Sequence, residues 1–284
     1  MIGTVGDLVE DIAVRLLGPV NVASDTPTRI ERRRGGSAAN TAVAVARVGH
    51  PARFIGQIGE DHVGIALERA LLDEGVEPIV RRHGRTGTIV VLVDEHGERT
   101  MLTDRAACSD LDDPDPMWLD GLTTLHVPLY SLIGGALAVT SATLIRWAHE
   151  RGITVGIDAS SAAVIESNGV EHVRTLIHAL RPDVLLCNEL ETEVLGGHAV
   201  VAALASNVAV VKQGADPALV FPRGGGRVGV PVPDGGPVRD TTGAGDAFAA
   251  GFLVAMSGGA SAEAAAVAGH LTARVAIDRV SGGA

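Results

Sequence analysis

The chain has 284 residues, of which 46% are hydrophobic but only 2% aromatic, and its formal net charge is -11. This acidic balance argues against nucleic acid or an anionic membrane as a partner, because both carry the same sign of charge. The length fits one large α/β domain or two small ones. With so few rings, the core must consist of Ala, Val, Leu and Ile.

The cysteines and the N-terminus indicate a compartment. Cys108 and Cys187 lie far apart and match no metal or redox spacing, which is typical of a reducing cytosol. The N-terminus lacks a basic segment, and no apolar run reaches about 18 residues. We therefore expect a cytoplasmic protein. None of the ten histidines has a metal-ligand spacing, so we interpret them as surface or helix-cap residues.

The N-terminal third predicts a mixture of strands and helices. A buried first strand is expected within residues 1–9, ending at Asp7. Residues 11–34 alternate apolar and polar side chains without a helical period, which predicts short strands or loops. An Ala-rich helix follows Gly35-Gly36 and ends near Gly49. The next elements in the chain are a strand over 53–58 and a helix over 61–72.

The remaining two thirds predict a hairpin and then a regular α/β pattern. The β-rich runs 87–93 and 99–103, joined by polar residues 94–98, indicate the hairpin. After a break at 112–116, strands are expected near residues 124–127, 154–158, 184–187, 208–212 and 219–221. Helices between them predict one α/β domain with a mostly parallel sheet covered on both faces. Residues 259–277 predict a packed helical pair.

One stretch near the C-terminus points to anion chemistry. It is Asp240-Thr241-Thr242-Gly243-Ala244-Gly245-Asp246, and it leads into a helix of small residues. The N-terminus of such a helix attracts an anion, and small side chains leave its N–H groups accessible. A carboxylate beside a phosphate is repulsive, so Asp246 needs a reason, such as accepting a proton from an attacking hydroxyl. The alternative is an ordinary Asp at a helix start.

A second stretch, Gly35-Gly36-Ser37-Ala38-Ala39-Asn40, precedes the Ala-rich helix. About 200 residues apart, the two stretches resemble the paired signatures of ribokinase-like (PfkB) carbohydrate kinases. Lesser motifs follow in the family's order, in residues 5–11, 58–64, 188–191 (Asn-x-x-Glu) and 211–214. The resemblance covers essentially the whole chain. It implies a single ribokinase-like domain over 1–284, with a small β-sheet lid contributed by about 11–34 and 85–104.

The resemblance also implies roles for individual residues. Sugar hydroxyls would be held by Asp11, Gly36 and Asn40. The anion hole for the γ-phosphate of ATP would be formed by Gly243, Ala244 and Gly245, with Asp246 as the base. Mg²⁺ and phosphates would be organised by Asn188 and by Glu191, the latter through water. Gly214 would line the nucleotide site, and Asp240 and Thr241 resemble a loop that binds a monovalent cation such as K⁺.

Several of these residues have plainer interpretations. Asp11 could be a solvated loop residue, and Asn40 a polar residue at a helix start. Lys212 could meet a phosphate of the nucleotide or lie at the surface. Arg105 could reach a substrate carboxylate or phosphate, or form an ion pair at the rim. Pro217 stands where the family has a second glycine in the nucleotide loop, which fixes φ and removes an N–H donor.

These patterns predict an ATP-dependent kinase for a primary hydroxyl of a small sugar, of the ribose, fructose or 2-keto-3-deoxy sugar acid type. The hairpin around Gly97 would act as a lid, and its exposed edge could pair in a homodimer. A nucleoside kinase is the alternative, although Phe54 is the only Phe, Tyr or Trp in the first 110 residues. A more distant alternative is a non-catalytic protein that binds a small molecule, but such a protein would not need a base at Asp246. An oxidoreductase is disfavoured because no Gly-x-Gly-x-x-Gly follows the first strand.

Overall fold

The structure is a computed structural model that describes residues 1–94, 99–235 and 241–282. Its strands are β1 Ile2–Val5, β2 Val9–Leu16, β3 Thr28–Gly35, β4 Ala52–Ile58, β5 Val76–Arg82, β6 Thr88–Val93, β7 Arg99–Asp104, β8 Thr124–Pro128, β9 Thr154–Asp158, β10 Val184–Asn188, β11 Val208–Gln213, β12 Asp216–Pro222 and β13 Val228–Val230.

The α-helices of the described ranges are α1 Ser37–Arg47, α2 His62–Asp73, α3 Gly135–Glu150, α4 Ala162–Asn168, α5 Val170–Leu180, α6 Glu189–Val194, α7 His198–Leu204, α8 Ala244–Ser257 and α9 Ala262–Gly282. Three short 3₁₀ helices cover Ala106–Asp110, Pro116–Leu119 and Leu129–Leu132. Across the ranges that the structure describes, no helix is long and apolar enough to cross a membrane.

The main sheet has nine strands in the order β13-β12-β11-β10-β9-β8-β1-β4-β5. The seven strands from β11 to β5 pair in parallel, and β12 and β13 add antiparallel at one edge. The carboxyl ends of parallel strands share one edge of a sheet, so residues that end β9, β10 and β11 become neighbours there. The predicted α/β architecture is confirmed.

A smaller sheet of four strands, in the order β3-β2-β6-β7, lies apart from the main sheet. Strand β2 pairs antiparallel with β3 and parallel with β6, and β6 forms the predicted hairpin with β7. The tip of that hairpin, 95–98, lies outside the described residues. Residues 11–34, expected as short strands or loops, instead supply most of two eight-residue strands.

The core divides between the two faces of the main sheet because successive strand residues point to opposite sides. On β10, Val184 and Leu186 pack with α1, α8 and α9 on one face. Leu185 and Cys187 pack with α3, α5 and α7 on the other. Both faces are therefore dry, as a parallel sheet covered by helices requires.

Three predictions from the sequence are wrong, two about secondary structure and one about the burial of a histidine. The first strand ends at Val5 rather than Asp7, because Gly6 adopts a φ of 151° and redirects the chain into β2. Within residues 259–277 there is one helix, α9, which begins at Ala262 and packs along α8 instead of folding into a pair of its own. His126 is fully buried on β8, so it is neither a surface nor a cap residue.

Close packing between α8 and α9 depends on one glycine. A Cβ at Gly251 would lie 2.3 Å from Thr272 Oγ1 and 2.5 Å from the carbonyl oxygen of Ala268. The second contact is backbone, so a methyl group there can be relieved only by moving a helix. The small side chain at this position therefore sets how closely α9 packs against α8.

We expect Gly251→Ala to lower the free energy of unfolding by about 1–3 kcal/mol, because overpacking displaces α9. Urea unfolding followed by circular dichroism measures this. Gly258→Ala is the matched control, since its nearest atom is 3.4 Å away at the end of the same helix, and it should change stability by less than about 0.5 kcal/mol. Equal effects of the two variants would contradict the packing argument.

Candidate active site

Two helix N-termini converge at the carboxyl edge of the main sheet. Helix α1 begins after Gly36, whose φ is 99° and where a Cβ would lie 2.1 Å from the carbonyl oxygen of Asp7. Helix α8 begins after Gly243, which adopts a left-handed φ of 76°. Both positions require glycine, one for space and conformation and the other for conformation. The two conspicuous glycine motifs of the sequence thus form one site.

Asp246 joins the two helices. Its carboxylate accepts a hydrogen bond from Ser37 Oγ at 2.6 Å and from Asn40 Nδ2 at 3.0 Å. Arg34 Nη1 donates to Asn40 Oδ1 at 2.9 Å, which orients the amide so that its NH₂ faces the carboxylate. Burial raises the pKa of Asp246 to about 6, although the Ser37 and Asn40 bonds favour the charged form. The result is a partly buried carboxyl that titrates near neutrality.

The turn before Asp246 presents the groups expected of an anion site. Gly243, Ala244 and Gly245 occupy the start of α8, where the first N–H groups have no acceptor within the helix. The Ala244 N–H is held by the carbonyl of Thr241 at 3.0 Å. Thr241 itself is exposed, and Asp240 lies outside the described residues.

A buried ion pair lies next to this turn. Lys212 Nζ contacts Asp158 Oδ2 at 2.6 Å, with side-chain exposures of 16% and 9%. A Cβ at Gly245 would be 3.5 Å from Lys212 Nζ, so the ammonium group adjoins the start of α8. Burial opposes the lysine charge, but the carboxylates of Asp158 and Glu191 outweigh it and raise the pKa of Lys212. Lys212 is therefore not a surface lysine.

The Asn-x-x-Glu motif forms a capping box at the start of α6. Asn188 Oδ1 accepts from the Glu191 N–H at 2.8 Å, and Glu191 Oε2 accepts from the Asn188 N–H at 2.7 Å. Glu191 Oε1 accepts from Asn188 Nδ2 at 2.8 Å. Burial, and then the charge of Asp158, raise the pKa of Glu191 to about 7. Both carboxylate oxygens are engaged, which fits an indirect contact with a metal better than a direct bond.

The remaining predicted residues are distributed around this centre. Asp11, on β2, packs over Gly35, and its buried Oδ1 has no hydrogen-bond partner in the part of the chain that the structure describes. Burial raises the pKa of Asp11. Arg105 forms a two-bond ion pair with Asp7, at 2.8 and 2.7 Å, rather than standing free. Gly214 occupies the turn after β11 with a φ of 61°.

Pro217, the departure from the family pattern, lies at the exposed start of β12. There the strand pairs with β11 through an irregular register between Val211 and Gln213. Proline is tolerated at such a position because an N–H is not needed for the ladder.

Three residues of the candidate site were missed by the sequence analysis. They are Arg34, Ser37 and Asp158, and Tyr130 also lies near this centre. Arg34 directly precedes Gly35-Gly36 and Ser37 directly follows it, so their place beside this motif could have identified them. Asp158 ends a predicted strand, but nothing in the sequence pairs it with Lys212. The Tyr130 hydroxyl donates to the Ser160 carbonyl at 3.3 Å, and burial, then Glu191, Asp246 and Asp158, raise its pKa.

A cavity of about 640 Å³ opens where Asp11, Asn40 and Gly243 meet, and we call it the basic cavity. It continues along the outer side of α1 between the end of α2 and α9. Within the described residues, no group of three or more His, Cys, Asp or Glu side chains could hold a metal ion. The described part of the site offers N–H groups, one ammonium group and carboxyls that already have hydrogen-bond or ion-pair partners.

Comparisons with known proteins agree with this arrangement. The pfkB family carbohydrate kinase profile matches residues 4–284. Fructokinase from Escherichia coli is 31% identical over 259 residues, spanning 84% of this chain and 81% of that protein. ATP-dependent ribose-1-phosphate kinase from Halopiger xanaduensis is 30% identical over 257 residues, spanning 86% and 80%.

Among solved structures, adenosine kinase from Sinorhizobium meliloti superposes with a TM-score of 0.86 at 24% identity, covering 97% of this chain and 93% of that one. This neighbour supports the fold. Together, fold and family matches define a phosphotransferase of the sugar and nucleoside kinase class. The chain belongs to the PfkB family of carbohydrate kinases.

The buried carboxyl at 246 predicts a pH-dependent cost in stability. A folded-state pKa raised from the usual 3.8 to about 6 means that the folded protein binds the proton more tightly than the unfolded chain. Stability from this group is therefore full below pH 4 and is lost as the pH rises through 6. The loss is at most about 3 kcal/mol, because the carboxyl keeps some contact with solvent.

We expect the unfolding free energy of wild type to fall relative to Asp246→Asn as pH rises from 4 to 7. Urea titrations at single pH steps measure the difference between the two proteins. Since only the change with pH is used, a constant offset from the altered hydrogen bonds does not matter. A difference that is flat over this range would contradict a raised pKa at Asp246.

Proposed function

We propose that this protein transfers the γ-phosphate of ATP to a primary hydroxyl of a small sugar, with Asp246 as general base. The observation that carries the proposal is the position of the Asp246 carboxyl, beside the start of α8 and hydrogen-bonded to Ser37 and Asn40, in surroundings that raise its pKa to about 6. A base with such a pKa is largely ionised at neutral pH and ready to accept a hydroxyl proton.

The reaction follows from the positions of the surrounding groups. The acceptor oxygen attacks the γ-phosphorus as its proton passes to Asp246, and the bond from phosphorus to the β-phosphate oxygen breaks to release ADP. Charge on the transferred group meets the N–H groups of Gly243 and Gly245 and the ammonium group of Lys212, whereas the Ala244 N–H is already bonded to the Thr241 carbonyl. Asp158 keeps that ammonium group in place.

The acceptor and nucleotide lie on opposite sides of the anion-binding turn in this proposal. Asp11, Gly36 and Asn40 hold the sugar hydroxyls, and Gly214 lines the nucleotide side. Mg²⁺, when bound to the nucleotide, neutralises phosphate charge. Glu191, whose oxygens are already engaged, and Asn188 would hold this ion through water. A K⁺ ion at the loop that contains Asp240 and Thr241 stays a prediction.

The small sheet is proposed as the lid over the acceptor. Strand β2 carries Asp11, and β3 ends directly before Gly36. Movement of this sheet would therefore change the acceptor site. Exposed apolar side chains on it, Ile30 at 62%, Met101 at 60% and Leu102 at 55%, also suit a homodimer formed through the lid.

A nucleoside is the alternative acceptor, and Tyr130 favours it. Its ring lies close enough to the catalytic carboxylates that their charges raise its pKa, so it could stack on a base. Phe54, by contrast, is completely buried. Against this alternative, no Phe, Tyr or Trp of the described residues lines the basic cavity beside Asp11 and Asn40.

An ADP-release assay with ribose, fructose, 2-keto-3-deoxygluconate, adenosine, inosine and cytidine tests the function. We expect sugars to exceed every nucleoside by at least about tenfold in kcat/KM, since base stacking worth roughly 1–3 kcal/mol is missing. Asp246→Asn should lower kcat by ~10²–10⁴, whereas Asp73→Asn, the same change in an exposed ion pair, should not. If a nucleoside has a higher kcat/KM than every sugar, the acceptor is a nucleoside and not a sugar. If Asp246→Asn keeps its activity, Asp246 is not the general base.

The charges around Asp246 predict opposite shifts in the pH profile. Asp158 raises the pKa of Asp246 and Lys212 lowers it. Asp158→Asn should therefore move the acid limb of kcat/KM to lower pH, and Lys212→Met should move it to higher pH. Glu191 responds to both neighbours in the same directions, so the signs hold whichever carboxyl limits the rate. Shifts of the same sign in both variants would show that the pair does not act electrostatically on the base.

A further inference from the structure

The basic cavity is positively charged although the chain is acidic. Four arginines line it against two carboxylates: Arg33, Arg34, Arg47 and Arg279 against Asp11 and Glu74. The whole chain, by contrast, carries a net charge of -11. Cations gathered on a concave wall concentrate a positive potential and raise the local concentration of anionic ligands. The positive charge of the cavity therefore points to the kind of ligand that it binds.

Two of the four arginines already have partners. Arg34 donates to Asn40, and Arg47 binds Glu74 through Nε at 2.8 Å and through a second, closer bond. Both arginines therefore bond to other side chains that line the cavity.

Arg33 differs from both. It lies directly opposite Asp11 in the β2–β3 ladder and is exposed. Within the described ranges its guanidinium has no hydrogen bond or ion pair, although its charge lowers the pKa of Asp11 against the effect of burial. The adjacent Arg32, in contrast, binds Glu10 at 3.0 Å and does not line the cavity.

A neutral sugar does not account for this arrangement. Its hydroxyls satisfy Asp11 and Asn40, but it offers no negative charge to a guanidinium beside them. Arginine binds phosphate and carboxylate groups through two parallel hydrogen bonds, which are stronger than bonds to neutral acceptors. The volume, about 640 Å³, lies within the range of about 300–1,000 Å³ typical of small-molecule sites, which leaves room for a substituted sugar.

We infer that the acceptor of this kinase carries an anionic group, a phosphate or a carboxylate, which Arg33 binds while Asp11 and Asn40 hold its hydroxyls. The inference rests on the proposed sugar kinase function and names the class of its substrate. Arg279, which is exposed on α9, lines the same cavity and adds to its positive charge.

The test compares neutral and anionic acceptors that share a free primary hydroxyl. Ribose is paired with ribose 1-phosphate, and fructose with fructose 6-phosphate; 2-keto-3-deoxygluconate supplies the carboxylate. ADP release gives kcat/KM for each, and calorimetric titration without ATP gives binding. Arg33→Gln is measured beside Arg32→Gln, which removes the same charge from the neighbouring residue of the same strand.

We expect at least one anionic acceptor to exceed its neutral counterparts by tenfold or more in kcat/KM, with an advantage that shrinks as salt is added. Preference for a phosphate or for the carboxylate then identifies the group. Arg33→Gln should raise KM and Kd for that acceptor at least tenfold while changing those for neutral sugars less than threefold. Arg32→Gln should leave both classes within threefold.

The outcomes separate this inference from the function on which it rests. Efficient phosphorylation of neutral sugars, with anionic acceptors no better, overturns the anionic acceptor but leaves the sugar kinase intact. An equal effect of Arg33→Gln on neutral and anionic acceptors also overturns the anionic acceptor alone. ADP release with none of the sugars, neutral or anionic, overturns the proposed function itself.

Discussion

The site depends on one constraint: a single carboxylate, Asp246, is held between the N-termini of two helices that lie about 200 residues apart in the chain. Ser37 and Asn40 bring α1 to it, and Gly36 lets the start of α1 pass within contact distance of the Asp7 carbonyl. Because Arg34 orients the Asn40 amide, the end of β3 is linked through α1 to the Asp246 carboxylate. The candidate acceptor residue Asn40 and the proposed base are therefore in direct contact.

Charge is the second organising principle of this protein. An acidic chain that handles phosphates must create positive potential locally, and it does so with helix N-termini, one buried lysine and a few arginines. Lys212 is surrounded by Asp158, Glu191 and Asp246, so three carboxyls share one ammonium group. This crowding, with burial, is why the pKa values of Glu191 and Asp246 rise to about 7 and about 6. The proposed base and the groups proposed to meet phosphate therefore share one electrostatic network.

The sequence analysis was accurate wherever a local signal was strong. Alternation of strands and helices predicted the α/β sheet, and the hairpin of β6 and β7 was recognised from its flanking runs. It failed where the deciding contact was distant. His126 is buried because β8 lies inside the sheet, and the helix over residues 262–282 finds its partner in α8 rather than in itself.

By itself, the sequence determined the class of fold, the family and the two glycine motifs that begin α1 and α8, because these depend on short-range pattern. Tertiary structure alone decided which side chains share a charge environment. It pairs Asp158 with Lys212 and turns Arg32 outward to Glu10 while Arg33 and Arg34 line the cavity. Such pairings cannot be predicted from neighbouring residues in the chain, because burial and Coulomb interactions depend on distance in space rather than along the sequence.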